Sequence, residues 1–425
     1  MHEQALLGPI QTLKTMRKNK LYKQTIANYW RQVRQEPKLL ALSFLNPIGN
    51  IFLSVGVPFF SGLALASVIT QDGELSRLIT YLAIAASLGL LFNRIGFISL
   101  MRLQAVAIKK MNNDVFDYVL HRSMRFHINN VGGKLVSDMI DYLVSFGLIL
   151  VVAFTNGASF VITIVFGLLV VFTQSWQLGI FLFFVTSGTL LWAYFDSKRR
   201  SRVRTIRHRT QKAMISHFSD SVVNAQTVKI FAAENREHEE NITLSEKLRI
   251  LRESDWTHAG RTGNNRVAFL LISIIGLILF LNYLLESSPS NIGVGIFAFT
   301  YTFSLLLRLF EINTLTTQIE EAFLNARPMT EILSEDLEIV DAPDAKDLQV
   351  SDGAIAFNNV RFQYADSDSS ENVFDNLTLD IKPGEKVGIV GSSGGGKPTL
   401  TRLMQRFDDI QSGSISIDGQ DISKV

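Results

Sequence analysis

Six apolar stretches between residues 40 and 312 constrain the fold of this chain more than any other feature. Each is as long, or nearly as long, as the roughly 20 residues that an α-helix needs to cross a bilayer. Apolar residues make up 47% of the chain and charged residues only 19%, in agreement with a membrane location. The sequence therefore predicts an α-helical membrane protein with six transmembrane helices. The predicted spans are 40–70, 78–101, 143–172, 178–195, 267–285 and 292–312.

The charges of the loops predict the orientation of these spans. Residues 71–76, 173–177 and 286–291 contain no Lys or Arg, whereas the other connections are rich in both. Because basic loops stay on the cytoplasmic side, both termini are predicted to be cytoplasmic. The basic residues of 198–212 follow a span directly, and we attribute them to this bias and to anionic lipid headgroups. With a net charge of only +2, nucleic acid is not predicted as a partner.

Two of the cytoplasmic connections, 102–142 and 196–266, are unusually long and contain few helix breakers. This composition predicts that the membrane helices continue far into the cytoplasm as long extensions. Each excursion needs a reversal of the chain. Turn residues predict the first reversal at 129–133 and the second near Asn224.

Residues 1–39 form a basic lead-in that is predicted to lie at the cytoplasmic membrane surface, with a disordered basic tail as the alternative. The chain has no cysteine, which excludes disulfides, Cys-ligated zinc and thiol catalysis. Its seven histidines show no metal-ligand spacing along the sequence, so no metal site is predicted from them.

A glycine-rich loop precedes a short helical pattern near the C-terminal end. The apolar run 386–390 predicts a buried strand, and 399–404 predicts a helix. Strand, glycine loop, lysine and helix form the layout of a phosphate-binding loop of the Walker A type. Glycines let backbone N–H groups surround phosphate oxygens, the helix N-terminus adds positive potential, and the lysine reaches the terminal phosphates. The loop residues are Gly391, Ser392, Ser393, Gly394, Gly395, Gly396 and Lys397.

Pro398 departs from this motif, because the lysine should be followed by Ser or Thr, whose hydroxyl holds Mg²⁺. Proline has no hydroxyl and no backbone N–H, so a metal ligand and a phosphate donor are both missing. Thr399 is not expected to replace the ligand, because the next helical position points about 100° around the axis. The motif predicts phosphate binding with a damaged magnesium site.

The soluble part of the chain reads as a partial α/β domain. After the helical region 40–340, residues 341–352 are predicted to be a linker, and residues 353–425 a partial P-loop nucleotide-binding domain. Strands are predicted at 355–364, in a segment ending at Ile381, and at 413–419.

The order of these parts resembles one half-transporter of the ATP-binding cassette (ABC) exporters, of the bacterial lipid- and multidrug-exporting type. Residues 391–397 match the Walker A loop, and Tyr364 matches the aromatic residue that stacks on adenine in this family. The run 376–386 is similar to the segment leading into the loop. Residues 227–234 and 131–137 resemble the regions of the two coupling helices. The resemblance covers essentially the whole chain.

The resemblance implies a set of partners and cofactors. ATP and Mg²⁺ are the implied cofactors, although Pro398 removes the usual Mg²⁺ ligand. Tyr364, the residues from Gly391 to Lys397, and Thr399 are the implied nucleotide-binding residues. The implied partners are a second half-transporter, in a homo- or heterodimer, the lipid bilayer, and a small-molecule or lipid substrate. The implied location is the plasma membrane, in bacteria the inner membrane.

Several catalytic elements of the family cannot be found in residues 353–425. These are the glutamine loop, the LSGGQ-type signature, the Walker B aspartate with its catalytic glutamate, and the switch histidine. We therefore expect an incomplete nucleotide-binding domain and no ATP hydrolysis by this chain alone. The alternative is a non-catalytic membrane protein, either a degenerate heterodimer partner or an inert remnant. An ion-coupled carrier would leave the ATP-type loop unexplained.

Overall fold

The computed structural model describes residues 9–130, 132–287, 292–364, 372–392 and 395–425. Side chains are described from residue 20 onward, except at 202, 284–287, 292, 294 and 305–313. The chain divides into two compact units. The helical unit comprises Met1–Lys109 and Leu143–Ala326, and the sheet unit comprises Lys110–Tyr142 and Arg327–Val425.

Long helices dominate the chain as far as residue 332. Two short π-helical segments, Phe52–Gly56 and Val152–Ala158, each continue one helix into the next. The helices are α1 Pro9–Val33, α2 Pro37–Ser43, α3 Leu45–Ile51, α4 Val57–Thr70, α5 Leu75–Leu120, α6 Met124–Asn129, α7 Gly132–Val151, α8 Ser159–Gln174, α9 Trp176–Val223, α10 Ala225–Ile230, α11 Glu234–Ser287 and α12 Ile292–Ile332.

Five helical stretches among the described residues are long and apolar enough to cross a membrane. They overlap the first five predicted spans, and they confirm the predicted class, a helical membrane protein. The sixth predicted span, 292–312, falls in α12, but the side chains of 305–313 lie outside the described residues, so it stays a prediction. The five stretches are Pro37–Thr70, Leu75–Leu120, Gly132–Gln174, Trp176–Ser201 and Glu234–Tyr283.

The long extensions and their reversals follow the sequence prediction closely. Helices α5, α9 and α11 contain 46, 48 and 54 residues, far more than a bilayer requires. Helix α9 ends at Val223, and Asn224 begins the reversal through the short helix α10. The first reversal is made by the short helix α6, and Val131 in the predicted turn lies outside the described residues.

Helices of the helical unit approach each other closely where one of them carries glycine. A Cβ atom on Gly96 would lie 2.0 Å from the backbone nitrogen of Asn46, and one on Gly167 would lie 1.9 Å from the Tyr301 ring. The Tyr301 hydroxyl then donates to the carbonyl oxygen of Thr163 at 2.9 Å. Since lipid tails are as apolar as the helix surfaces, such close van der Waals packing is what holds membrane helices together.

Part of the basic segment of α9 points into the protein, which corrects the expectation for 198–212. Three of its arginines are buried or nearly buried and pair with carboxylates on α11 and α12, so lipid headgroups do not account for them. The pairs are Arg200 with Asp255 (2.9 Å), Arg204 with Glu320 (2.6 Å), Arg207 with Asp255 (3.0 Å) and Arg207 with Glu321.

The lead-in is helical over α1, so the alternative of a disordered tail is wrong for residues 9–33. Leu21, Thr25, Tyr29 and Val33 recur every four positions and are all buried. The Tyr29 ring meets Phe146 edge to face at 5.2 Å between centroids. The apolar face of α1 therefore packs against protein.

The sheet unit contains the strands β1 Ile355–Phe362, β2 Phe374–Ile381, β3 Ser412–Ile417 and β4 Gln420–Asp421 and the short helix α13 Lys397–Met404. The strands form an antiparallel sheet in the order β2-β1-β3-β4, and β1, β2 and β3 agree with the strands predicted at 355–364, up to Ile381 and at 413–419. Phe357 of β1 pairs with Leu379 on one side and Ile415 on the other. Leu403 of the short helix α13 is fully buried against this sheet.

The predicted buried strand at 386–390 is wrong for this structure. The segment has no regular secondary structure and is exposed throughout, with Val390 at 93% exposure. A strand needs a neighbour for its backbone N–H and C=O groups, and no described strand lies beside this segment. Its apolar side chains therefore have no layer to pack into.

The carboxylate of Asp418, after β3, fixes the loop that enters β1. It accepts backbone N–H groups from Ser351, Asp352, Gly353 and Ala354 at 2.7–3.0 Å. These hydrogen bonds hold the pKa of the Asp418 carboxyl well below its usual range. The ionised carboxylate therefore stabilises the folded sheet.

We expect Asp418→Asn to weaken the protection of β1 and to flatten its pH dependence. A lowered folded-state pKa contributes stability above the unfolded value of about 4, and that stability is lost as the pH falls below it. In the wild type, hydrogen-exchange protection of residues 351–362, corrected for intrinsic rates, should fall on acidification. Asp352→Asn, on the same loop, is the control and should behave like the wild type. Equal pH profiles for wild type and Asp418→Asn would contradict this role.

Candidate phosphate-binding site

The glycine loop reaches α13 through a backbone conformation that only glycine adopts easily. Gly396 has a φ of 74° and caps the N-terminus of the helix. A Cβ atom there would lie 2.9 Å from the Phe374 ring, so a larger residue would also clash. Ser393 and Gly394, which the sequence also assigns to the loop, lie outside the described residues.

The start of α13 carries the donors available for a phosphate. Lys397 and Pro398 are its first two residues. The first backbone N–H groups of a helix have no partner within the helix, and they favour an anion. Pro398 contributes no N–H, so this N-terminus has one donor fewer than a Walker A helix with Ser or Thr.

The Lys397 ammonium group lies over the loop. It donates to the carbonyl oxygens of Gly391 at 2.9 Å and Ser392 at 2.6 Å, and the Gly395 N–H also bonds to Ser392. The structure therefore brings the lysine and the described loop residues together. A phosphate at this site would compete with these carbonyl oxygens for the lysine.

The Thr399 side chain is buried within the sheet unit. It is 5% exposed, and its Oγ1 lies 2.9 Å from the Tyr364 hydroxyl. The Tyr364 ring also meets Phe362 edge to face, with centroids 4.9 Å apart, and the Arg402 guanidinium lies 5.9 Å from its centroid. Tyr364 thus lies against α13, the helix that follows the loop.

These contacts test whether ATP and Mg²⁺ fit the site. The left-handed Gly396, the helix N-terminus and Lys397 fit a phosphate group. The same residues fit a magnesium ion less well than they fit a phosphate group. Pro398 has no side-chain oxygen, and the hydroxyl of Thr399 already bonds to Tyr364 in the interior. The residues present are suited to phosphate and lack the hydroxyl ligand for the metal.

A second feature of the sheet unit, which the sequence analysis missed, is a clamp formed by Arg122. Its side chain is 3% exposed, and its guanidinium contacts Glu335 at 2.8 Å and Glu338 at 2.9 Å. It also donates to the carbonyl oxygen of Asp336 at 3.0 Å. The clamp joins the loop between α5 and α6 to the segment that follows α12. The partners are more than 200 positions apart, so no local pattern could reveal the pairing.

Neighbouring hydrogen bonds reinforce the clamp. The Ser123 N–H donates to Glu338 at 3.2 Å, and the Tyr118 hydroxyl donates to the carbonyl oxygen of Ile332 at 3.2 Å. Burial of Glu338 acts to raise the pKa of its carboxyl, but the Ser123 hydrogen bonds and the Arg122 charge outweigh it, so the pKa is lowered. Glu338 therefore stays ionised as the partner of Arg122.

Comparisons with known proteins agree with both parts of the chain. The family described as the ABC transporter transmembrane region matches residues 39–309, and the family described as ABC transporter matches residues 374–424. The second match lies within the sheet unit and includes the glycine loop.

Two individual proteins with similar sequences illustrate the match. Over 76% of this chain and 38% of the relative, the sequence is 28% identical to ATP-binding cassette sub-family B member 6 of Mus musculus. Over 79% of this chain and 55% of the relative, it is 26% identical to the ATM1-type heavy metal exporter of Novosphingobium aromaticivorans. The chain thus spans 38% to 55% of the length of these relatives.

A solved structure shares the fold. A bacterial Atm1-family ABC exporter with ATP bound matches with a TM-score of 0.74 and 22% identity. The match covers 92% of this chain and 68% of that chain. At this level of identity the likeness shows the fold alone.

We expect Arg122→Ala to release the segment around residues 335–338. The substitution removes charge-assisted hydrogen bonds from a buried position, a loss of about 2–3 kcal/mol in local stability. Arg122→Lys should recover only part of it, because lysine has no planar fork. Hydrogen exchange of residues 332–340 in the full chain measures the effect, with the exposed His121→Ala as control. Unchanged exchange in Arg122→Ala would show that the clamp does not hold this segment.

Proposed function

The chain belongs to the ABC transporter transmembrane-region family, and on that premise we propose that it is one subunit of an ABC-type exporter. In this function, nucleotide binding at the glycine loop drives movement of the helical unit, which carries a substrate across the membrane. The observation that supports it most is the presence, on one chain, of five membrane-type helical stretches and a phosphate loop ending in Lys397.

The coupling between nucleotide and helices needs a mechanical connection. The Arg122 clamp supplies one within the sheet unit, because it ties the loop after α5 to the segment that leads into the sheet. Helix α5 contains a membrane-type stretch, so a displacement of that segment would act on the end of a spanning helix. Helix α10 lies in the region that resembles a coupling helix of the family, and we assign it that role.

The nucleotide contacts follow from the loop. Backbone N–H groups at the start of α13 and the Lys397 ammonium bind the phosphates, and the Tyr364 ring stacks on the adenine. ATP, when bound, supplies the phosphates that these groups hold. The proposed set is Tyr364, Gly391, Ser392, Ser393, Gly394, Gly395, Gly396, Lys397 and Thr399. Since the Thr399 hydroxyl bonds to Tyr364, we assign Thr399 a role in placing that ring.

The 425-residue chain alone binds ATP without hydrolysing it in this proposal. Hydrolysis needs a positioned metal ion and a residue that orients the attacking water. Pro398 offers no side-chain ligand for the metal, and this supports the proposal.

The proposed assembly is a dimer of half-transporters in the plasma membrane, with both termini in the cytoplasm. The loop charges support this orientation. One relative is named for heavy metals, so compounds that carry a heavy metal are the first class of cargo to test. A second candidate function, a non-catalytic partner in a heterodimer, is favoured by Pro398 alone.

We expect 8-azido-ATP to label the purified full chain and Lys397→Ala to abolish the labelling. The lysine is the only side chain of the described loop that brings a positive charge to the phosphates. Lys386→Ala, which removes an exposed lysine from the segment before the loop, is the matched control and should label normally. No labelling of the wild type would favour the inert remnant. Equal labelling of both variants would contradict the assignment of the phosphates to Lys397.

A further inference from the structure

A histidine and two glutamates meet where α9 and α11 flank the short helix α10. His217 lies on α9, six positions before that helix ends at Val223. Glu237 and Glu240 lie near the start of α11. Because they are three positions apart, they occupy the same helix face. The reversal at Asn224 brings this face against His217.

The three side chains are close enough to share one ion. One ligand atom from each lies within 4.8 Å of the others, and the His217 Nε2 is 3.9 Å from Glu237 Oε2. A tetrahedral ion with bonds of 2.0–2.2 Å places its ligands roughly 3.4 Å apart. Small rotations of the side chains would therefore close the site, and the remaining coordination position would be left for water.

We propose that His217, Glu237 and Glu240 form a binding site for a divalent transition-metal ion such as Zn²⁺. The imidazole nitrogen selects this class over Ca²⁺ and Mg²⁺, which prefer oxygen ligands alone. The spacing of the histidines along the sequence predicts no such site, because the carboxylate ligands come from a different helix.

The surroundings of the site suit an ion that is partly withdrawn from water. The side chains of His217 and Glu237 are 14% and 21% exposed. The Ser221 hydroxyl donates to Glu237 Oε2 at 2.9 Å, which orients the carboxylate. Two contacts compete with the ion. The His217 Nε2 lies 3.2 Å from the Glu237 carbonyl oxygen, and the exposed Arg236 pairs with Glu237 Oε1 at 2.9 Å.

The position of the site gives the ion a mechanical effect. Its ligands come from both helices that flank α10, so an ion would cross-link the two sides of this reversal. A bound ion would restrict the fraying of α9 and α11 at this end and hold α10 in place. If α10 acts as a coupling element, as the proposed function has it, the ion would regulate that element. The binding itself does not depend on nucleotide.

The test is a titration of the metal-free full chain, in detergent, with Co²⁺ followed by Zn²⁺. We expect one Co²⁺ to bind per chain and to give the visible absorption band typical of a four-coordinate ion. Added Zn²⁺ should displace the Co²⁺ and remove this band. His217→Ala and Glu240→Gln should each weaken binding by about tenfold or more. Glu240 is exposed, so its substitution tests the site without disturbing the fold. His238→Ala and Glu239→Gln remove exposed neighbours on α11 and should bind as the wild type does.

A second measurement, hydrogen exchange, locates the bound ion in the chain. Zn²⁺ should slow hydrogen exchange in residues 217–240 of the wild type and should not do so in Glu240→Gln. The proposal is overturned if the wild type binds no Co²⁺, or if His217→Ala and Glu240→Gln bind it as tightly as their controls. Loss of nucleotide labelling with metal binding intact would count against the proposed function alone, so the two failures are distinguishable.

Discussion

The helical unit depends on one constraint, that backbone N–H and C=O groups cannot remain unpaired in hydrocarbon. Continuous helices satisfy it, and even the interruptions at Phe52–Gly56 and Val152–Ala158 remain helical. Hydrophobic burial cannot drive such helices together inside a bilayer, so close contacts at Gly96 and Gly167 take its place. Beyond the apolar part of α9, paired charges hold the helices instead, because Arg200 and Arg204 are buried against carboxylates of α11 and α12.

Features encoded by local patterns could be predicted from the sequence, and features that depend on distant partners could not. The apolar runs predicted the class of helical membrane protein, and alternation predicted β1. The local pattern of the basic segment of α9 predicts a lipid-facing surface, because its partners are distant in the chain. Arg207 and Glu321 are 114 positions apart. The sequence predicts neither the Arg122 clamp nor the contact of His217 with Glu237, because the partners lie on different elements. The prediction of a strand at 386–390 is wrong for a different reason. The local pattern is strand-like, but no described strand pairs with this segment.

The phosphate site contains both kinds of feature, those that a local pattern predicts and those that it does not. The glycines, Lys397 and the start of α13 were predictable, because the motif is continuous along the chain. The consequence of Pro398 was predictable as chemistry, since proline has neither hydroxyl nor N–H. Helix geometry predicts that Thr399 does not replace the ligand, and its hydroxyl bonds to Tyr364 in the structure. Ser393 and Gly394 lie outside the described residues, so their contribution remains a sequence prediction.

The central claim is that this loop holds phosphate without the usual magnesium ligand. The most direct test compares the affinity of the full chain for a fluorescent ATP analogue with Mg²⁺ present and with Mg²⁺ removed by EDTA. We predict affinities within about threefold of each other for the wild type, and a preference for Mg²⁺ of about tenfold or more in Pro398→Ser, where a hydroxyl ligand returns. A wild-type affinity that collapses in EDTA, or a Pro398→Ser variant that gains no preference, would contradict the account.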